Sequence, residues 1–146
     1  MTTWPDLAGT MTDAGHLLPV RVYYEDTDFS GVVYHASYLR FMERGRSDFL
    51  RLCGIHHSEL DAGASGERLA FAVRHMDIDF LKPARIDDVL EVHTVCTDAR
   101  GARLVLAQEV RRGEEILIRA RVTAAVINSE GKPRRMPKDL AAKLAH

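Results

Sequence analysis

The residues best equipped for chemistry lie close together near the N-terminus, in the run Glu25-Asp26-Thr27-Asp28 followed by Phe29-Ser30-Gly31 and then Tyr34-His35. Three carboxylates precede turn-forming residues, and Gly31 can take a positive φ at little cost, so the chain should reverse there. A helical pattern begins a few residues later. The first-turn amides of a helix have no backbone acceptor. With the helix dipole they favour negative charge, including the oxyanion formed when a carbonyl is attacked. A carboxylate beside such amides points to acyl transfer. The competing reading of Asp28 is a turn residue or helix cap, both of which favour Asp. Asp26 reads as a structural hydrogen-bonding group. A hard-cation site made of Glu25, Asp26 and Asp28 is disfavoured, because such ions take six or more oxygen ligands and the spacing matches no calcium loop.

Several elements must hold this run in place. From Leu18, the residues Val20, Val22 and Tyr24 alternate with Arg21, Tyr23 and Glu25, which predicts a strand with one buried face leading into the acidic turn. After the turn, Tyr34, Tyr38, Phe41, Met42, Gly45, Phe49, Leu52 and Cys53 form one helical stripe opposite Arg40, Glu43, Arg44, Ser47 and Arg51. Gly54 sits where a left-handed C-cap belongs, so the helix should run from about His35 to Cys53. The remainder reads mainly as strands. Leu69, Phe71 and Val73 alternate on odd positions while Met76, Ile78 and Phe80 continue on even ones, a phase slip that predicts a β-bulge near Arg74-His75. Strands carrying Leu90, Val92, Thr94 and Cys96, then Leu104, Leu106 and Val110, then Ile116 to Val126 follow, with turns at 98–101 and 112–114. Pro137 can open a short C-terminal helix with Leu140 and Leu144. One long helix among hairpin-linked strands implies an α+β architecture, an antiparallel sheet wrapped on the helix, with exposed edges that a homodimer would cover.

Two segments carry a resemblance to a known family: VYYEDTDFSGVVYHASYLRFMERGR at residues 22–46 and AFAVRHMDIDFLKPARIDDVLEV at residues 70–92. They resemble acyl-CoA thioesterases of the 4-hydroxybenzoyl-CoA thioesterase class, in the branch associated with the Tol-Pal system and called YbgC-like. The resemblance implies the hotdog fold, a helix inside a curved antiparallel sheet, assembled as a homodimer or homotetramer. It also implies that the second Asp of the D-T-D triplet, Asp28, is the catalytic carboxylate, and that the aromatic-histidine pair is Tyr34 and His35, with the His35 amide polarising the thioester carbonyl. Phe29, Tyr38 and Phe71 are candidates to line the acyl tunnel. Asp28 could attack the carbonyl or deprotonate a water; an Asp near its reference pKa of about 3.9 is ionised at neutral pH, which favours attack. Glu43 is a less favoured acid, expected instead to pair with Arg40, Arg46 or a partner chain. The substrate implied is acyl-CoA, or alternatively acyl carrier protein, with no cofactor. The rival functions are an acyl-thioester binding or adaptor protein linked to the Tol-Pal envelope system, and a dehydratase.

Composition narrows the field further. A chain of 146 residues suits one domain, here 18–146, preceded by a Thr-, Gly- and Asp-rich stretch, 1–17, read as a flexible tail. A formal charge of -1 gives no pull towards nucleic acid. Residues 1–17 lack the pattern of a signal peptide and no segment reads as an integral membrane span, so a cytoplasmic location is expected. Cys53 and Cys96, each within an apolar periodic segment, read as buried thiols. The histidines other than His35 show no zinc-site spacing. The basic run 131–138 offers Arg forks to nucleotide phosphates, or is a solvated tail.

Overall fold

The computed structural model describes residues 8–63 and 66–144. Its strands are β1 (Thr10–Thr12), β2 (Gly15–Arg21), β3 (Leu69–Phe80), β4 (Val89–Arg100), β5 (Arg103–Arg112) and β6 (Glu115–Asn128). They form one antiparallel sheet in the order β1-β2-β4-β5-β6-β3. The helices are α1 (His35–Leu52), α2 (His57–Asp61) and α3 (Lys138–Leu144). This is the α+β hotdog arrangement that the sequence predicts, with α1 packed on the inner face of the sheet.

The stripe on α1 is what seats it. Its N-terminal half buries Tyr38, Phe41 and Met42 against Val20, Leu90, Val92 and Ile118, while Phe49 and Leu50 pack with Leu104, Leu106 and Leu140 in a second cluster. Gly45 lies between the two clusters, where a Cβ would sit 2.6 Å from Val92 Cγ1 and let the helix approach no closer. Leu50 joins the buried face, whereas Leu52, expected on it, is 37% exposed because the stripe drifts round the helix by its last turn. The helix then stops as its sequence requires. The Gly54 amide donates to Arg51 O and the Ile55 amide to Leu50 O, a Schellman closure with Gly54 at φ +84° and Leu50 and Ile55 in one apolar cluster. Gly54→Ala should therefore destabilise the protein by about 1–2 kcal/mol in urea denaturation, through backbone conformation alone. Space is not the obstacle, since a Cβ there would meet only the Lys143 side chain at 3.8 Å or more. An unchanged midpoint would show that the closure contributes nothing.

The phase slip in β3 appears as a register shift between Val73 and His75 in its pairing with β6. Two further shifts, between Cys96 and Asp98 in β4 and between Val110 and Arg111 in β5, lie near strand ends, where no run of core residues changes phase to announce them. Pro137 precedes α3, and Leu140 and Leu144 are buried.

Other expectations need correction. The regular structure starts before Leu18, with β1 pairing on β2 through Thr10↔Leu17 and His16 wholly buried. The polar composition of residues 8–17 hides this hairpin; residues 1–7 lie outside the described residues. β2 also ends sooner than the alternation suggests. Tyr24, placed on its buried face, is 82% exposed in a 3₁₀ turn, Tyr24–Asp26, that the Asp26 carboxylate closes by accepting the Tyr23 amide at 2.8 Å. Helix α2 is too short to leave a periodic signal. The basic run 131–138 is not a free tail: the Arg134 amide donates to Val126 O and Met136 is buried.

Candidate active site

Between β2 and α1 the chain forms a small hairpin of its own. Thr27 pairs with Val33, the Asp28 amide donates to Val32 O, and the Tyr34 amide donates to Asp26 O. At the tip the Gly31 amide donates to Asp28 O, closing a four-residue turn, and Gly31 takes φ +86°. The turn's base is pinned from below: the Val33 amide donates to Ala84 O at 2.8 Å, and the Ala84 amide donates to the Tyr38 hydroxyl at 2.9 Å. Tyr38 is therefore a core residue, 3% exposed, whose phenol oxygen ties α1 to the loop supporting the turn.

Asp28 is exposed at this tip, and its conformation is set locally. Oδ1 accepts the Ser30 amide at 2.8 Å and the Ser30 hydroxyl at 2.5 Å. These bonds, the hydroxyl first and the amide second, hold the Asp28 carboxyl below its ordinary value of 3.8, so it is a carboxylate at neutral pH. Immediately after the hairpin α1 begins with no side chain capping it. The Ser37 amide donates to Tyr34 O, but the amides of His35 and Ala36 have no acceptor among the described residues. An ionised carboxylate thus lies one short hairpin away from two unsatisfied N–H groups at the positive end of an 18-residue helix. Asp26, by contrast, is 5% exposed and occupied by the Tyr23 amide, with Arg40 at 3.8 Å, which fits its reading as structural.

The sequence model of the thioesterase superfamily matches residues 30–119 of this chain. Acyl-CoA thioester hydrolase YbgC of Escherichia coli O157:H7 is 45% identical over 127 residues, covering 86% of this chain and 92% of that protein. The chain belongs to the YbgC family of the thioesterase superfamily. Acyl-CoA thioesterase YbgC of Haemophilus influenzae is 39% identical over 137 residues, covering 93% of this chain and 98% of its own. Among solved structures, a probable thioesterase from Bartonella henselae superposes with a TM-score of 0.82 at 52% identity, covering 84% of this chain and 98% of that one.

In this YbgC-family chain the remaining residues singled out by sequence divide between separate places. The Tyr34 ring lies 4.5 Å from that of His35, which meets Phe80 edge-on at 6.2 Å, so all three form an exposed aromatic group at the start of α1. Phe29 is fully exposed and shares with Asp28, Tyr24 and Ile86 a cleft of about 390 Å³. Phe71 is elsewhere: half-buried, it lines a cavity of about 310 Å³ between α1 and the sheet, with Glu43, Arg46, Leu50 and Val73. Glu43 makes no ion pair within 4.0 Å with Arg40 or Arg46 among the described residues; Arg40 turns instead to Ser37 and Asp26. Sequence reasoning missed Ser30 as the residue that positions Asp28, although a Ser two places after an Asp is the pattern of a side-chain-closed turn. It also read Phe80 as core, where the structure leaves it 51% exposed against His35. Among the described residues no group of three His, Cys, Asp or Glu side chains could hold a metal ion.

Proposed function

We propose that this protein is an acyl-CoA thioesterase in which Asp28 acts on a thioester carbonyl polarised by the amide of His35. The observation that carries the reading is the ionised, Ser30-held Asp28 carboxylate at the tip of the hairpin whose base leads directly into the uncapped N-terminus of α1. In the reaction, the Asp28 oxygen adds to the carbonyl carbon, negative charge develops on the carbonyl oxygen, and the first-turn amides stabilise it. The C–S bond breaks and coenzyme A leaves as thiolate, to be protonated by solvent. Water then opens the mixed anhydride to give the free acid and restore Asp28. The alternative, a water deprotonated by Asp28, asks for a stronger base than a carboxylate held below its ordinary range.

A single chain leaves this site open to solvent, and the sheet suggests how it is closed. β3 is a 12-residue edge strand, with Phe80 beside His35 at one end and Phe71 and Val73 lining the inner cavity towards the other. Antiparallel pairing of β3 with its own copy about a two-fold axis near the bulge sets the Phe80 end of one protomer against the Phe71 end of its partner. In such a homodimer, and in a tetramer built from two of them, Asp28, Tyr34 and His35 come from one chain and the acyl pocket from the other. No helix among the described residues is long and apolar enough to cross a membrane.

Free-thiol release from short-chain, long-chain and aromatic acyl-CoAs tests the assignment. Hydrolysis of at least one class is expected, with no fall in kcat/KM between neutral and mildly acidic pH. The active form is the carboxylate, so activity is present above the folded pKa and lost only as pH falls through a value lying below 3.8. An acid limb centred near 6 would mean that a different group is titrating. Acyl-CoA binding without thiol release from any substrate would favour the adaptor role.

A further inference from the structure

The cavity holding Phe71 contains a charged group that the proposed hydrolysis does not use. Arg46 lies on its wall, on the middle of α1, and its Nη1 donates to Gln108 Oε1 at 3.0 Å. Gln108 cannot swing away. It is 1% exposed, and its amide nitrogen donates to Met42 O and to the hydroxyl of Thr94, each at 3.0 Å, so its oxygen is left facing Arg46. One guanidinium edge is thereby fixed by a buried amide anchored to both helix and sheet.

No carboxylate answers that charge. Arg46 has no ion pair within 4.0 Å among the described residues, while Glu43, one turn earlier on the same cavity, is exposed to solvent. Burial pushes the Arg46 guanidinium below its ordinary value, with the Glu43 charge acting weakly in the opposite sense. A cation partly withdrawn from water without a counter-ion is costly, and a carboxylate presented to its free N–H groups would form the charge-assisted, two-pronged bond that Arg geometry favours. Ser47 and His57 join Arg46 and Glu43 on the polar part of the lining, the rest of the wall is apolar, with Leu50, Phe71, Val73, Leu104 and Leu106, and at about 310 Å³ the space is at the small end for ligand sites.

We propose that this cavity receives an acyl group ending in a carboxylate, with methylenes against Leu50, Phe71 and Leu106 and the distal carboxylate on Arg46, making Arg46 a specificity-determining residue. The inference rests on the thioesterase reading, because it names the acyl class that the reading leaves open. It also sets a length requirement, since only chains that reach from the thioester to the guanidinium gain the bond.

The test compares kcat/KM for ω-carboxyacyl-CoAs of five to eight carbons with that for unsubstituted acyl-CoAs of equal length, in the natural protein, Arg46→Met and Arg46→Lys. The natural protein is expected to prefer one ω-carboxy length by about tenfold or more. Arg46→Met should lower that preference ratio by about 10- to 100-fold, the loss expected for a hydrogen bond to a charged group, and Arg46→Lys should fall between. A ratio at or below one in the natural protein, or one that Arg46→Met leaves unchanged because both series fall together, would overturn the proposal. Calorimetric binding of the corresponding non-hydrolysable ω-carboxyalkyl-CoA thioethers separates the two readings. If no substrate is hydrolysed the thioesterase assignment fails, yet Arg46-dependent preference for the ω-carboxy thioether would still support the cavity's specificity; its absence would overturn that as well.

Discussion

Asp28→Asn is expected to lower kcat for thioester hydrolysis by about 10²- to 10⁴-fold at unchanged stability, the span seen when a positioned acid-base group is removed. The substitution isolates the charge. An Asn oxygen can still accept the Ser30 amide and hydroxyl that now bind Asp28 Oδ1, and the turn's backbone bonds, Gly31 to Asp28 and Asp28 to Val32, do not involve the side chain. Because Asp28 is exposed, no core contact changes either. A neutral amide is a poor nucleophile and a poor base, so either role is lost. Asp26→Asn is the informative contrast, for that carboxylate accepts the Tyr23 amide in a buried site and its effect should fall on the fold of the turn. Retention of more than a tenth of the natural kcat in Asp28→Asn, measured by thiol release on the best substrate, would remove Asp28 from the chemistry.

Phe41→Ala should cost about 3–5 kcal/mol of stability, the range for deleting a buried aromatic ring. Phe41 is wholly buried on the stripe of α1, edge-on to Tyr38 with ring centroids 6.1 Å apart. Its neighbours belong to the sheet and to the helix alike, so the space left behind has no loose side chain to collapse into it. Against a total of about 5–15 kcal/mol for an ordinary domain, the loss leaves a protein near its folding threshold. Urea denaturation at one fixed protein concentration, which keeps any subunit association constant, measures it. A loss below about 1 kcal/mol would mean that the helix is not held on the sheet in the way described.

Much of this architecture is legible in the sequence because burial is periodic. The stripe from Tyr38 to Phe49 can be satisfied only by a helix with one covered face, and the odd-to-even slip between Val73 and Met76 has only a bulge to explain it. Where periodicity is absent the sequence falls silent. β1 is a three-residue pairing with every residue exposed, and α2 has five residues, of which only Leu60 is buried. Tyr24 misleads because an alternating pattern runs on past the point where the Asp26 carboxylate turns the chain. The site divides in the same way. Asp28, Tyr34 and His35 are contiguous enough to be recognised as a motif, whereas the cavity at Arg46 and Phe71 exists only once Gln108 and Leu104 are brought across from another strand. Sixty-two residues separate Arg46 from Gln108, and no local pattern connects them.

The same division has a bearing on how such a protein changes over generations. Asp28, the hydrolytic group on the proposed reading, stands on a self-contained turn, closed by Ser30 and braced by Ala84, and shares no side chain with the cavity that Phe71, Arg46 and Leu104 line. With the acyl group seated there as proposed, substitutions in that lining retune which molecules are accepted without disturbing the turn that carries Asp28. Descendants of one ancestral gene can thus diverge in diet while inheriting an unaltered blade.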